Sequence, residues 1–202
     1  MTKNKSNKIF IISGPSGVGK TTVAKGILKK LPFLKTSVTY TTRTQRLGKK
    51  EDKTIIHVSE QEFRKKISEN GFLEWAVVHG NFYGTDRSVV EQELHKGNML
   101  MNIDVQGALQ IKQKMPADTV LIFLKTKNVN DLIKHILRRE KMPEAILELR
   151  LANARKELAL ARQYDHVVMN EEGKIRQTIK KVTEIISEHI GSTKPAHKKK
   201  RP

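Results

Sequence analysis

The sequence predicts an α/β fold with a mostly parallel sheet, on two observations. Apolar runs that read as buried strands, at residues 9–13, 98–104, 119–125 and 165–169, alternate with helical stretches at 20–31, 85–96 and 107–114. Such alternation places helices over parallel strands. The second observation is that two segments, 37–85 and 127–162, break the alternation, so a core of 8–36, 86–126 and 163–190 carries two inserts. A chain of 202 residues suits one core with inserted units, and no repeat of solenoid period is present.

The first strand, within KIFIIS, runs directly into SGPSGVGKTT. Residues 14–21 fit the pattern G-x-x-x-x-G-K-[ST], with a strand before and a helix after, which is a phosphate-binding loop. Glycines let successive N–H groups turn toward an anion, and the helix N-terminus adds partial positive charge. The loop therefore predicts an ATP- or GTP-type site made by Gly14, Pro15, Ser16, Gly17, Val18, Gly19, Lys20 and Thr21. Lys20 is placed to reach the β- and γ-phosphates, and the Thr21 hydroxyl to ligate Mg²⁺. A GTPase would need a guanine-specifying N-K-x-D, and the sequence has none; Lys-Asn at 3–4 and 127–128 does not extend to it. Phosphoryl transfer to an acceptor is the better class.

In the first insert SVTYTTRTQRLG, the alternating IIHVS and FLEWAVVHG surround one short helical stretch, SEQEFRKKISE. That pattern predicts a small antiparallel sheet with one helix. The second insert is helical throughout. Asn130 is placed to cap DLIKHILRRE, and Pro143 to open a second helix. Leu147, Leu151, Ala154, Leu158 and Ala161 recur there at spacings of 4, 3, 4 and 3, an apolar face that predicts ordinary core packing.

Composition narrows the setting. Hydrophobic residues make up 37% of the chain, enough to close a core at this length, and no run reaches the 18 or so residues of a membrane span. There is no cysteine, which excludes disulfides and thiolate metal sites and fits a reducing, cytoplasmic setting. The seven histidines show no metal-ligand spacing. The net charge is +18, of which residues 1–8 and 191–202 supply 8 without a single acid. Segments 1–7 and 191–202 read as basic, flexible, solubilising tails; the alternative is weak electrostatic contact with RNA or another polyanion.

Several motifs in order, SGPSGVGK at 13–20, TTRTQR at 41–46, EWAVVHGNFYGT at 74–85, IDVQG at 103–107, RREKMPEAILELR at 138–150 and VVMNEE at 167–172, make the chain resemble the guanylate kinases over 8–190. The resemblance implies a P-loop core, a GMP-binding insert at 37–85 and a helical lid at 127–162. It also implies transfer of a phosphoryl group from ATP to GMP, and to dGMP, with Mg²⁺. It places Glu74 on the guanine edge with Asp104 beside it. One carboxylate accepts from both N1–H and the N2 amine, and it repels the lone pair that adenine presents instead. The resemblance further puts Thr39 and Thr85 as donors to O6, and Arg43, Arg46 and Tyr83 on the GMP phosphate. Arg139 and Arg150 close over the transferring group, and Asn170 lies by the adenine, although a strand-end turn reads Asn170 as well. Lys20, Arg46, Arg139 and Arg150 are thus the expected catalytic set. No general base is needed, because a phosphomonoester with a second pKa of about 6 is mostly ionised at pH 7.

The chain departs from the family's pattern at Ile55, where a tyrosine commonly holds the GMP phosphate, and at Asn102, where the family commonly has aspartate. It departs again at His135, in place of a lid arginine, and at Glu140, in place of glycine. These changes bear on the acceptor more than on ATP. Two other readings keep less of the resemblance: a kinase of the same fold acting on a ribose phosphate, and a non-catalytic guanylate-kinase-like binding module. The intact Gly14, Gly19 and Lys20 weigh against the module, and Glu74 with Asp104 weighs against the sugar.

Overall fold

Five consecutive buried residues at 9–13 put one strand at the centre of the molecule. The structure, a computed structural model, describes residues 7–45, 54–78, 80–139 and 143–191, without the side chains at 129–130 and 138–139. The basic segments 1–6 and 192–202 therefore lie outside the described residues, as do Arg46, Glu140 and the side chain of Arg139.

In chain order the elements begin β1 (Ile9–Ser13), α1 (Lys20–Lys30), β2 (Lys35–Thr36), β3 (Thr39–Thr41), β4 (Ile55–His57) and α2 (Glu60–Ser68). Then come β5 (Phe72–Val78), β6 (Asn81–Asp86), α3 (Arg87–Lys96), β7 (Met99–Asn102) and α4 (Val105–Lys114). The chain continues through β8 (Thr119–Lys125), α5 (Val129–Arg139), α6 (Glu144–Ala159), a 3-10 turn (Leu160–Gln163), β9 (His166–Met169) and α7 (Ile175–Ile190).

The core sheet has the order β2-β7-β1-β8-β9, every pair parallel. Strand alternation splits β1 between two cores. Phe10 and Ile12 pack with Val23, Ile27, Val182 and Ile186 of α1 and α7, whereas Ile9 and Ile11 pack with Val90, Ala108 and Ile111 of α3 and α4. Both faces of the sheet are covered, which is why its strands read as continuous apolar runs.

The second sheet has the order β4-β3-β6-β5. It differs from the expected antiparallel arrangement in one pair: β4 runs parallel to β3, while β3–β6 and β5–β6 are antiparallel. Thirteen residues, 42–54, separate β3 from β4, a connection long enough for a parallel return, whereas only two residues separate β5 from β6. Helix α2 covers one face, held by a capping box in which Ser59 Oγ accepts from Glu62 N at 3.2 Å and Glu62 Oε2 accepts from Ser59 N at 2.7 Å. Its single buried residue, Phe63, stacks on Phe72 at 4.5 Å and lies 5.3 Å from Phe82.

Several boundaries move from their expected places for local reasons. Thr85 and Asp86 belong to β6, and helix α3 starts only at Arg87 because Asp86 caps it, accepting from Val89 N at 3.0 Å. Helix α4 starts earlier than expected, at Val105, because the Asp104 carboxylate accepts from the N–H groups of Gln106 and Gly107. Helix α5 starts at Val129, so Asn130 lies in its first turn rather than at its cap, and Pro143 caps α6 from extended backbone. The apolar face of α6 is thinner than its spacing implies. Ala154 alone is fully buried; Leu147, Leu151, Leu158 and Ala161 are half-buried, the last two packed against the core around Ile11 and Phe123.

Removing the Phe63 ring should destabilise the insert most. Phe63→Ala is expected to cost about 3–5 kcal/mol in denaturant unfolding, the range for a buried aromatic truncated to alanine. A loss below about 1 kcal/mol would show that the small sheet does not depend on α2.

Candidate active site

The phosphate loop is built as its glycines require. Gly14, Gly17 and Gly19 have φ of 138°, 85° and 94°, the left-handed region. At Gly14 a Cβ would overlap the carbonyl oxygen of Leu124 on β8, so the loop is pressed onto the sheet. Val18 is fully buried and joins the core, so its contribution to the loop is its backbone. Asn170 Nδ2 donates to Val18 O at 2.7 Å, and Asn170 Oδ1 accepts from Thr178 Oγ1 at 2.8 Å. Asn170 thus ties the loop to α7 and is 6% exposed, at the end of β9 as a strand-end residue. On the other flank His135 Nδ1 lies 3.0 Å from Gly17 O, so α5 also rests on the loop. Lys20 Nζ donates to Gly14 O at 2.5 Å and to Pro15 O at 3.1 Å.

Two cavities meet the loop on opposite sides. One, of about 560 Å³, is lined by Gly17, Gly19, Thr22, His135, Asn170 and Ile175 among others. The other, of about 550 Å³, lies between the core and the insert. The core and α6 bring Gly14, Ser16, Lys20, Thr21, Asp104 and Arg150 to it; the segment of the second sheet brings Thr39, Arg43, Glu74 and Tyr83. Sequence positions more than a hundred residues apart thus converge on one cleft, at the C-terminal ends of β1 and β7 where ligands of parallel sheets bind.

Glu74 is 3% exposed, although its neighbour Trp75 is 39% exposed. A β-bulge produces this. Phe72 pairs with Asp86 and Glu74 with Thr85, leaving Leu73 as the extra residue, so Phe72 faces α2 while Glu74 faces the cleft. Thr85 Oγ1 donates to Glu74 Oε1 at 2.5 Å. Thr85 is fully buried, and its hydroxyl is engaged by the carboxylate. Glu74 Oε2 is buried with no hydrogen-bond partner among the described residues. Burial pushes this carboxyl up to about 7, against the Thr85 hydrogen bond and with help from the Asp104 charge.

The sequence reading missed Glu157. It lines the same cleft from α6, two turns after Arg150 and on the same helix face. Burial also pushes its carboxyl up to about 7, opposed by Lys20 and reinforced by Asp104. A period-seven pairing of Arg150 with Glu157 is the signal that was legible, but beside an apolar seam it reads as a solvated charge. Asn81 and Val78, also in the cleft, follow from the alternation of β5 and β6 once the bulge is known. Asn102 Nδ2 donates to Thr21 Oγ1 at 3.3 Å, which ties β7 to the loop's threonine. Ile55 pairs with Thr39 in the β3–β4 register and so shares the cleft face of the small sheet. Arg43 reaches the cleft; Arg46 lies outside the described residues, and Arg139 is placed only as the end of α5.

Among the described residues no helix is long and apolar enough to cross a membrane. The family model for guanylate kinase matches residues 6–189. Guanylate kinase of Thermotoga maritima is 42% identical over 165 residues, 81% of this chain and 79% of that protein. The Syntrophomonas wolfei guanylate kinase is 40% identical over 184 residues, covering 91% of this chain and 93% of that one. Among solved structures, guanylate kinase from Anaplasma phagocytophilum superposes with a TM-score of 0.75 at 30% identity, over 94% of this chain and 89% of that one. A shikimate kinase from Acinetobacter baumannii superposes with a TM-score of 0.51 at 16% identity, a likeness of fold alone. These relatives do not favour a sugar-phosphate acceptor or a non-catalytic module. With its P-loop core, second sheet and helical insert in the matching order, the chain belongs to the guanylate kinase family.

Proposed function

We propose that the chain transfers the γ-phosphoryl group of ATP to GMP, and to dGMP, with the acceptor held in the cleft between core and insert. The observation that carries this reading is the buried Glu74 carboxylate, which lines the same cleft as Lys20 and Arg150 and has one oxygen without a hydrogen-bond partner among the described residues. Guanine's N1–H and N2 amine are the donors such a carboxylate lacks. A sugar phosphate offers no equivalent edge. Thr39 is the hydroxyl left for O6, since Thr85 is engaged with Glu74. Arg43 and Tyr83 take the GMP phosphate with Arg46, and Asp104 lies beside the base.

ATP threads its phosphates through the glycine loop, its adenine lying toward the cavity of Gly17, Gly19 and Asn170. Asn170 contributes there by holding the loop's shape. Lys20 leaves the carbonyls of Gly14 and Pro15 for the β- and γ-phosphates. Arg139 and Arg150 meet the charge that builds on the transferring group, and the GMP phosphate oxygen attacks in line without a base. The donor set suits Mg²⁺: the Thr21 hydroxyl faces the cleft, with the hard oxygens of Asp104 and Glu157 nearby. When bound, the cation neutralises charge on the β- and γ-oxygens. The reaction takes place in the cytoplasm, with ATP and GMP as the partners.

Lys20→Ala should lower kcat by about 10²-fold or more while circular dichroism stays unchanged, the scale for losing one preorganised electrostatic contact. Retention of more than about a tenth of kcat would remove Lys20 from the chemistry.

Ile55 offers a second test of the acceptor site. Tyrosine there adds a phenolic donor on the face that carries Thr39. Ile55→Tyr should lower the GMP KM by about 10-fold, the value of one hydrogen bond to a charged group, and leave the ATP KM nearly unchanged. Overpacking against Phe63 does not arise by register, since Phe63 packs with Phe72 and Phe82 on the opposite face. An unchanged GMP KM in a stable variant would mean that the phosphate is held elsewhere.

A further inference from the structure

Phosphoryl transfer does not require helix α4 to touch the insert, yet three of its residues grip the strand that carries Glu74. At Gly107 a Cβ would overlap Glu74 Oε2 and lie 2.8 Å from Glu74 Cδ. One turn on, Gln110 Nε2 donates to Trp75 O at 2.9 Å and Gln110 Oε1 accepts from Trp75 N at 3.4 Å. The side-chain amide thus takes the place of a neighbouring strand along the edge of β5. A further turn on, Lys114 Nζ donates to Leu73 O. Gly107, Gln110 and Lys114 are spaced by three and four, so they form one face of the helix. The residues they hold, 73, 74 and 75, are the bulge that turns Glu74 into the cleft. Elsewhere on α4, Val105, Ala108 and Ile111 fix the helix in the core.

We infer that the Gly107, Gln110 and Lys114 face of α4 is a positioning device for Glu74, and that Gly107 is thereby a determinant of base selectivity. The inference rests on the reading of Glu74 as the guanine-binding carboxylate. Its physical content is that the carboxylate's place is set by a core helix and not by the insert alone. The core's side of the cleft, where Lys20 and Asp104 stand, and the base-reading group thereby share one rigid support. A glycine in the first turns of a helix is otherwise a poor choice, since alanine is the better helix former. Here alanine would fill the space that the carboxylate occupies.

The test compares wild type with Gly107→Ala, Glu74→Gln and the double variant, using GMP, IMP and AMP as acceptors and ATP as donor. IMP keeps N1–H but lacks the N2 amine, so the GMP-to-IMP ratio of kcat/KM reads the carboxylate directly. Gly107→Ala should reduce that ratio by about 10-fold and leave the ATP KM within about twofold, as expected for a displaced charge-assisted hydrogen bond. In the Glu74→Gln background the same substitution should leave the ratio unchanged, because the two act as one unit. An unaltered ratio in folded Gly107→Ala, or an additive effect in the double variant, overturns the inference. If Glu74→Gln alone leaves the ratio unchanged, the guanine reading fails first, and the inference with it. Should Gly107→Ala not fold, Gln110→Ala carries the test: the ratio should fall several-fold with ATP handling unaffected, and a wild-type ratio there overturns the inference.

Discussion

A carboxylate removed from water is the constraint around which the insert is organised. Glu74 gives up hydration at 3% exposure and recovers one short hydrogen bond, from Thr85. Its folded-state pKa is raised to about 7, so folding favours the protonated form. The stability this contributes is complete below the ordinary carboxylate range and is lost as pH rises through about 7. Near neutral pH part of the empty site therefore carries its carboxylate ionised, the form that burial disfavours. A ligand that brings two donors to the same oxygens relieves it, which is how a desolvated group becomes selective: only the right partner satisfies it.

The phosphate side is arranged differently. There the protein supplies backbone N–H groups and positive charge, and the cost is one of shape. Gly14 is pressed on β8, Val18 is buried, Asn170 bridges the loop to α7, and His135 holds it from α5. The loop is thus braced from the sheet, the last helix and α5 at once. Because α5 touches the loop and α6 carries Arg150 and Glu157 over the cleft, a movement of the helical insert reaches both substrates. On the proposed reading, the first site is specific through what it lacks and the second through what it fixes.

Much of this was legible in the residues. The limits of β1 and β8 follow from apolar runs, because both strands are buried on both faces and no side chain signals otherwise. The phosphate loop follows from its glycines and its strand–helix context. Helix starts were less legible where a side chain claims the backbone: Asp86 and Asp104 decide where α3 and α4 begin, and each reads equally well as a strand-end charge. The parallel β3–β4 pair depends on a chain crossing that periodicity does not encode. The bulge at Leu73 is invisible for the same reason, and without it Glu74 and Phe72 fall on one face by simple alternation. Gly107 and Gln110 were unreadable because their work is done on a strand some thirty residues earlier. Only the fold shows that the Thr85 hydroxyl donates its hydrogen bond to Glu74.

The most direct measurement follows the Glu74 carboxyl carbon by NMR as pH is varied, the resonance assigned by its loss in Glu74→Gln. In the free protein it should titrate near 7, the value its burial sets. With GMP bound, the guanine donors stabilise the ionised form, so the resonance should stay that of a carboxylate down to well below 7. With an ATP analogue alone it should titrate as in the free protein. A midpoint in the ordinary carboxylate range for the free protein, or a titration that GMP does not shift, would contradict the assignment of Glu74 as the group that reads the base.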